Sequence, residues 1–172
     1  MNAPLPAAAT GQRQVLTIAG AQPSDLDEVL MLLAASGLGA DGVAEHITDF
    51  LLAREGRRLI GAAALEDYGV AGLLRSVAVA ANRRGWGLGR YLASALIEHA
   101  RQRGHTAVYL LTDTAEAYFK RFGFRPVDRS VVRPAVLASV QFSGDACTKS
   151  VVMVLEFAER QMIRGTSRWQ DR

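Results

Sequence analysis

Apolar and polar positions along this chain follow two rhythms, one of period two and one of helical period, and the rhythm changes several times. Residues 14–18 alternate and are rich in β-branched side chains, which predicts a strand. Ser24 and Asp25 supply helix-starting side chains, and Leu26, Val29, Leu30 and Leu33 then recur at helical spacing until Gly37. A second, short helix is expected over residues 43–48. Residues 50–54 and 59–65 predict two strands joined as a hairpin at Glu55 and Gly56. Gly69 and Gly72 bracket the next turn, and residues 73–80 (LLRSVAVA) predict a third long strand of buried composition. The glycine-rich run 82–90 leads into a helix on which Leu88, Tyr91, Leu92, Ala95, Leu96 and His99 share spacing, stopped at Gly104. Strands are expected over 107–111, 124–127 and 150–157, and a helix over 115–122 ended by Gly123. Residues 1–12, rich in Ala and Pro, are expected to be disordered, and 158–172 to be a polar tail, around one domain at 13–157. Strands alternating with helices after an antiparallel start predict an α/β fold with a mixed sheet.

Composition narrows the function classes. The 172 residues carry a net charge of +3, with 49% hydrophobic and 22% charged residues, which suits one ordinary globular domain. Eighteen of the twenty basic residues are arginine, scattered from Arg13 to Arg172, and they do not cluster with aromatics as a nucleic-acid face would require. Apolar runs are short, which argues against a transmembrane helix, and the N-terminus lacks signal-peptide features. The single cysteine, Cys147, excludes an internal disulfide and cysteine-cluster zinc sites, and fits a cytoplasmic setting. Cys147 itself reads either as a nucleophile or as a small buried hydrophobe.

The strongest local chemistry is Arg84-Gly85-Trp86-Gly87-Leu88-Gly89, set between a strand and an amphipathic helix. Glycines let the backbone approach a ligand and turn N–H groups toward it, and a helix N-terminus adds a positive dipole end. The combination predicts a pyrophosphate cradle, with Arg84 and Arg90 as charged partners. No lysine follows the glycines, so the run is not an ATP-type phosphate loop, and Arg90 stands where a dinucleotide fingerprint needs its third glycine. His46, His99 and His105 share no metal-ligand spacing, and no metal is expected. Arg75 interrupts a buried strand, so it either pairs with Glu66 or Asp67 or clamps a carboxylate of a substrate.

These residues resemble a known family. R-x-x-G-x-G at Arg84, Gly87 and Gly89, preceded by Ser76-Val77-Ala78-Val79, is similar to the acetyl-CoA motif of the GCN5-related N-acetyltransferases (GNAT). Thr112-x-x-Ala115-x-x-Tyr118-Phe119-Lys120-Arg121-Phe122-Gly123-Phe124 resembles the second motif of that superfamily. The resemblance implies a sheet splayed between the strands at 73–80 and 107–111, with helices on both faces. It implies pantetheine along Val77, Ala78 and Val79, and pyrophosphate on the N–H groups of Arg84, Gly85, Trp86, Gly87, Leu88, Gly89 and Arg90. Phe119 is implied on the cofactor side, at a position where the family often carries the tyrosine that protonates the thiolate. Here the hydroxyl sits one residue earlier, on Tyr118. Arg75, Ser76 and Thr112 are the candidate acceptor-side residues, and Glu66, near the end of the strand beside the one carrying Arg75, is the expected general base, with an exposed turn carboxylate as its alternative reading.

A narrower likeness lies in LLRSVAV, YLLTDTAEAYFKRFGF, VDRS and CTKSVVM, which resemble the arsenic-resistance N-acetyltransferases acting on arsinothricin or phosphinothricin. The resemblance thus implies acetyl-CoA as cosubstrate, a small-molecule amine as acceptor, and a role in detoxification. A protein or peptide N-acetyltransferase, a non-catalytic acyl-CoA-binding module and a homodimer stay open.

Overall fold

The computed structural model describes residues 15–143 and 149–158. Seven strands hydrogen-bond in the order β1-β2-β3-β4-β5-β7-β6. The chain divides into two compact units, one holding the chain up to Glu66 with Leu74–Leu96, the other Asp67–Leu73 with the chain from Ile97.

In the first unit, β1 (Leu16–Gly20), β2 (Phe50–Glu55) and β3 (Arg58–Asp67, as far as Glu66) form an antiparallel meander. The expected hairpin is present, its turn falling at Gly56 and Arg57. The period-two pattern separates two faces. Leu52 opposes Ala62 and Phe50 opposes Ala64, and these four pack with Val29, Leu32 and Leu33 of α1 (Leu26–Ala35). Burying one such large apolar side chain contributes about 1.5–3 kcal/mol. Ala53 opposes Gly61 on the other face, which α2 (Leu88–Gln102) covers through Leu88 and Leu92. A Cβ on Gly61 would stand 3.0 Å from Leu92 and 3.1 Å from Leu88, so the missing side chain sets how closely the helix approaches.

In the second unit, Ala71–Leu73 at the start of β4 (Ala71–Val79) pair in parallel with Ala107–Tyr109 of β5 (Ala107–Thr112). β5 also pairs antiparallel with β7 (Val151–Glu156), which pairs with β6 (Arg125–Val127). Ala71, Leu73, Ala107, Tyr109, Val152 and Val154 share a core with Val132 and Val136. Val136 lies on α4 (Pro134–Leu137), a short helix inside an otherwise irregular stretch. Residues 128–142 carry no sequence period, because their 3-10 turns and single helical turn are too short to display one. Ser130 donates to Asp128, and these bonds hold the Asp128 carboxyl below the usual carboxylate range.

Other boundaries need correction. The helix expected at 43–48 is a series of turns ending in a 3-10 turn at Ile47–Asp49, because so short a stretch cannot offset helix nucleation. Gly72 lies inside β4, since Tyr68 N–H already closes the preceding turn on the Ala71 carbonyl. The first strand runs two residues later than expected. The expectations for residues 1–12, Cys147 and 159–172 fall outside the described residues.

Candidate active site

The glycine-rich run adopts the strand–turn–helix form expected of it. After Val79 the chain makes a 3-10 turn at Ala81–Arg83, and Gly85 and Gly87 take φ of 81° and 83°. Few L-residues adopt such angles, so glycine here is a conformational requirement. No atom lies within 4 Å of where a Cβ on either would stand, so the turn faces open space. Tyr91 N–H bonds the Gly87 carbonyl at 2.9 Å, closing the first turn of α2. The N–H groups of Leu88, Gly89 and Arg90 precede that bond and have no intrahelical acceptor. No acidic residue sits in this first turn. Gly89 lies inside the helix, so it supplies closeness rather than an unusual angle. Arg84 and Arg90 are exposed, and the Nε of Arg84 donates to the Val79 carbonyl at 3.0 Å. N–H groups without an intrahelical acceptor, a positive helix end and two guanidiniums suit a diphosphate. Beside the turn, Arg83 pairs with Glu55 and lies 5.4 Å from the Trp86 ring centroid. A cleft of about 670 Å³ opens there between Leu16, Ile60, Trp86 and Tyr91.

Further back on β4 lies a buried polar cluster. Arg75 Nη1 donates to Glu66 Oε1 at 2.6 Å, and the side chains are 3% and 0% exposed. Arg75 Nη2 donates to the Asp41 carbonyl and Nε to the Ser76 hydroxyl at 3.3 Å. Three of its nitrogens are therefore engaged within the first unit. Of the two partners the sequence offered, Glu66 is the one it takes. In the second unit the Asp67 carboxylate lies 2.7 Å from Arg103 and 3.3 Å from His105. Simple strand alternation would turn Ser76 away from Arg75, but Ser76 has φ of 55°, the one positive φ on a non-glycine among the described residues. That kink breaks the period and brings the two side chains into contact. The expected base, Glu66, is fully buried and committed to a guanidinium.

His46 joins the same cluster, and the sequence reading passed over it. Its Nδ1 lies 2.8 Å from Asp49 Oδ2 and its Nε2 3.9 Å from Glu66 Oε1. The signal was present as a His-x-x-Asp spacing, hidden because the metal-ligand test looks for other spacings. Among the described residues no cluster of His, Cys, Asp and Glu could hold a metal ion.

The second motif lies in the second unit. Thr112 Oγ1 accepts the Ala115 N–H at 2.9 Å and so shapes the entry to α3 (Glu116–Lys120). Phe119 is buried and meets Tyr118 edge-on at 5.2 Å and Phe124 at 5.9 Å. Tyr118 is half-buried, with its ring also edge-on to Phe122.

A family model described as the acetyltransferase (GNAT) family matches residues 26–124. No curated protein sequence matches the chain. Among solved structures, N-acetylglutamate synthase from Neisseria gonorrhoeae complexed with coenzyme A and L-arginine superposes with a TM-score of 0.69 at 19% identity over 83% of this chain. The chain spans 33% of that protein's length. The same enzyme complexed with coenzyme A and N-acetyl-glutamate gives a TM-score of 0.71 at 19% identity, over 86% of this chain and 36% of that one. Rv2747 from Mycobacterium tuberculosis, in complex with CoA, gives 0.67 at 22% identity, over 83% of this chain and 99% of that one. At these identities the likeness is one of fold. Among the described residues no helix is long and apolar enough to cross a membrane.

Proposed function

The chain belongs to the acetyltransferase (GNAT) family and is thereby an acyltransferase that draws on acetyl-CoA; from that premise we infer that it acetylates the primary amine of a small, amino-acid-like acceptor of the arsinothricin or phosphinothricin type. The observation that carries this reading is the exposed turn at Gly85 and Gly87 leading into an α2 N-terminus without acidic residues. The Arg84 N–H bonds the Ala81 carbonyl, so in this reading the N–H groups from Gly85 to Arg90 hold the pyrophosphate, helped by both guanidiniums. Val77, Ala78 and Val79 carry the backbone groups offered to pantetheine. Acetyl-CoA supplies an activated acyl group; the protein supplies orientation, which is worth several kcal/mol by proximity alone.

A guanidinium and carboxylate buried two residues from Val77 are costly to maintain for the fold alone. The Neisseria enzyme is seen with N-acetyl-glutamate, an acetylated amino acid, which is the product class proposed here. Arg75 enters as an anchor of the acceptor side rather than as a free two-point clamp, because Glu66, Asp41 and Ser76 engage its nitrogens. The hydroxyl of Ser76 supplies a polar contact in this reading. The single cysteine supports a cytoplasmic setting for such detoxification.

Thiol release from acetyl-CoA, measured against α-amino acids, phosphinothricin, arsinothricin and short peptides, tests the acceptor class. Release with the amino-acid analogues and none with peptides is expected; peptide preference overturns the acceptor half. For the donor half, Gly87→Val should weaken acetyl-CoA binding at least about fivefold by calorimetry, since a β-branched residue strains this backbone by about 1–3 kcal/mol. Unchanged affinity removes the pyrophosphate assignment.

A further inference from the structure

We propose that His46, oriented by Asp49, is the group that takes the proton from the acceptor amine. This rests on the amine-acetylation reading above. The Asp49 carboxylate can only accept a hydrogen bond, so in the neutral imidazole the 2.8 Å contact assigns the donated proton to His46 Nδ1 and the lone pair to Nε2. That nitrogen points into the cluster beside β4, 3.9 Å from Glu66 Oε1, too far for a hydrogen bond. The charged groups facing the ring are Asp49 from its own turn and Glu66 from β3, with Arg75 of β4 behind Glu66 at 2.6 Å. The Arg75 guanidinium offsets the charge of Glu66, so the carboxylate fixes the surroundings of the ring without itself being a free base. His46 is also reachable: a third of its side chain is exposed, whereas Glu66 is sealed at 0%.

The chemistry balances with these groups. The acceptor arrives as an ammonium and gives one proton to Nε2, which later passes it to water. The freed nitrogen lone pair forms the C–N bond to the acetyl carbonyl carbon. The C–S bond breaks with its electron pair on sulfur, and the second N–H proton ends on the thiolate. The products are the amide, the free thiol and one proton released to solvent. Asp49 acts as a positioning residue that holds the tautomer.

The test uses the full chain, acetyl-CoA and the acceptor in the panel above that gives the fastest thiol release. His46→Gln removes the base, and His46→Asn removes it while keeping a donor for Asp49. Both variants should lose about 10²-fold in kcat/KM near neutral pH, the size expected for a lost general base. Affinity for acetyl-CoA and the melting temperature should stay at wild-type values. The deficit should shrink as pH rises toward the amine's own range, because solvent then supplies the free base. Asp49→Asn should lose less, with the same recovery at high pH. Activity of both His46 variants within threefold of wild type overturns the proposal, as does a deficit equal at every pH, which marks a structural role. A wild-type chain that releases no thiol with any acceptor overturns the acetylation reading itself, an outcome distinct from the first two.

Discussion

Two arginines of the first unit each gather polar partners, and they differ chiefly in depth. Arg54 donates to Asp25 at 2.7 Å, to Glu28 at 2.5 Å and to the Arg57 carbonyl at 3.0 Å, with 23% of its side chain exposed. Arg75 meets Glu66 at 2.6 Å, the Asp41 carbonyl and Ser76, with 3% exposed. Burial pulls the Arg54 pKa down, but the bonds and charges of Glu28 and Asp25 outweigh it, so the net shift is upward. Near-identical bonding thus serves two purposes. At the surface, water would solvate either ion almost as well as its partner does, so the network adds little. In the interior, the desolvation of both ions is already incurred, and removing one strands the other.

The largest expected effect follows from the deep pair. Arg75→Ala should lower the unfolding free energy by about 3–5 kcal/mol, read from urea denaturation, because Glu66 stays buried without the guanidinium that bonds it. Replacing both, as Arg75→Met with Glu66→Leu, should recover most of that loss. A single variant as stable as wild type would place the pair among surface-like interactions. Arg54→Ala should cost no more than about 1 kcal/mol, and the cost should fall further in high salt. A loss as large as that of Arg75→Ala would erase the contrast. The smallest effect belongs to Asp128, an exposed carboxylate bound only by Ser130. Its folded pKa is lowered, so its contribution is present above the unfolded carboxylate pKa and lost as pH falls through the folded one. The melting-temperature gap between wild type and Asp128→Ala should therefore close below about pH 4. A gap independent of pH would show that the carboxylate charge plays no part.

The sequence was most legible where one residue type has one physical meaning. Gly85 and Gly87 announce a turn that few other residues can make, and the spacing of Leu88, Leu92 and Leu96 announces the helix after it. The Arg75 pairing was half legible. A buried arginine demands a carboxylate, but adjacent strand residues 66 and 67 offered two, and only the folded register selects between them. The kink at Ser76 was illegible, since serine carries no signal for a positive φ. His46 and Asp49 were missed because their contact depends on turns that a helical reading of residues 43–48 replaced. The stretch at 128–142 shows no such signal because its buried apolar side chains, Val132 and Val136, are only two, and its short turns end before a spacing can repeat.

One bond in the deep cluster has a consequence for how the chain tolerates change. Arg75 grips residue 41 by its main-chain oxygen, not by the aspartate side chain. The segment it holds, 36–42, contains Gly37, Gly39 and Gly42, residues whose freedom is the most expensive to remove. The tie closes a span of 34 residues between the two positions, the sort of long closure whose cost grows only slowly with length. Because every amino acid presents the same oxygen, position 41 is free to drift through many side chains with the tie intact. Position 75 has no such latitude, since only a forked, permanently charged head reaches a carboxylate, a carbonyl and a hydroxyl together. Mutational tolerance on the two ends of a single hydrogen bond is therefore opposite: wide at the acceptor and narrow at the donor.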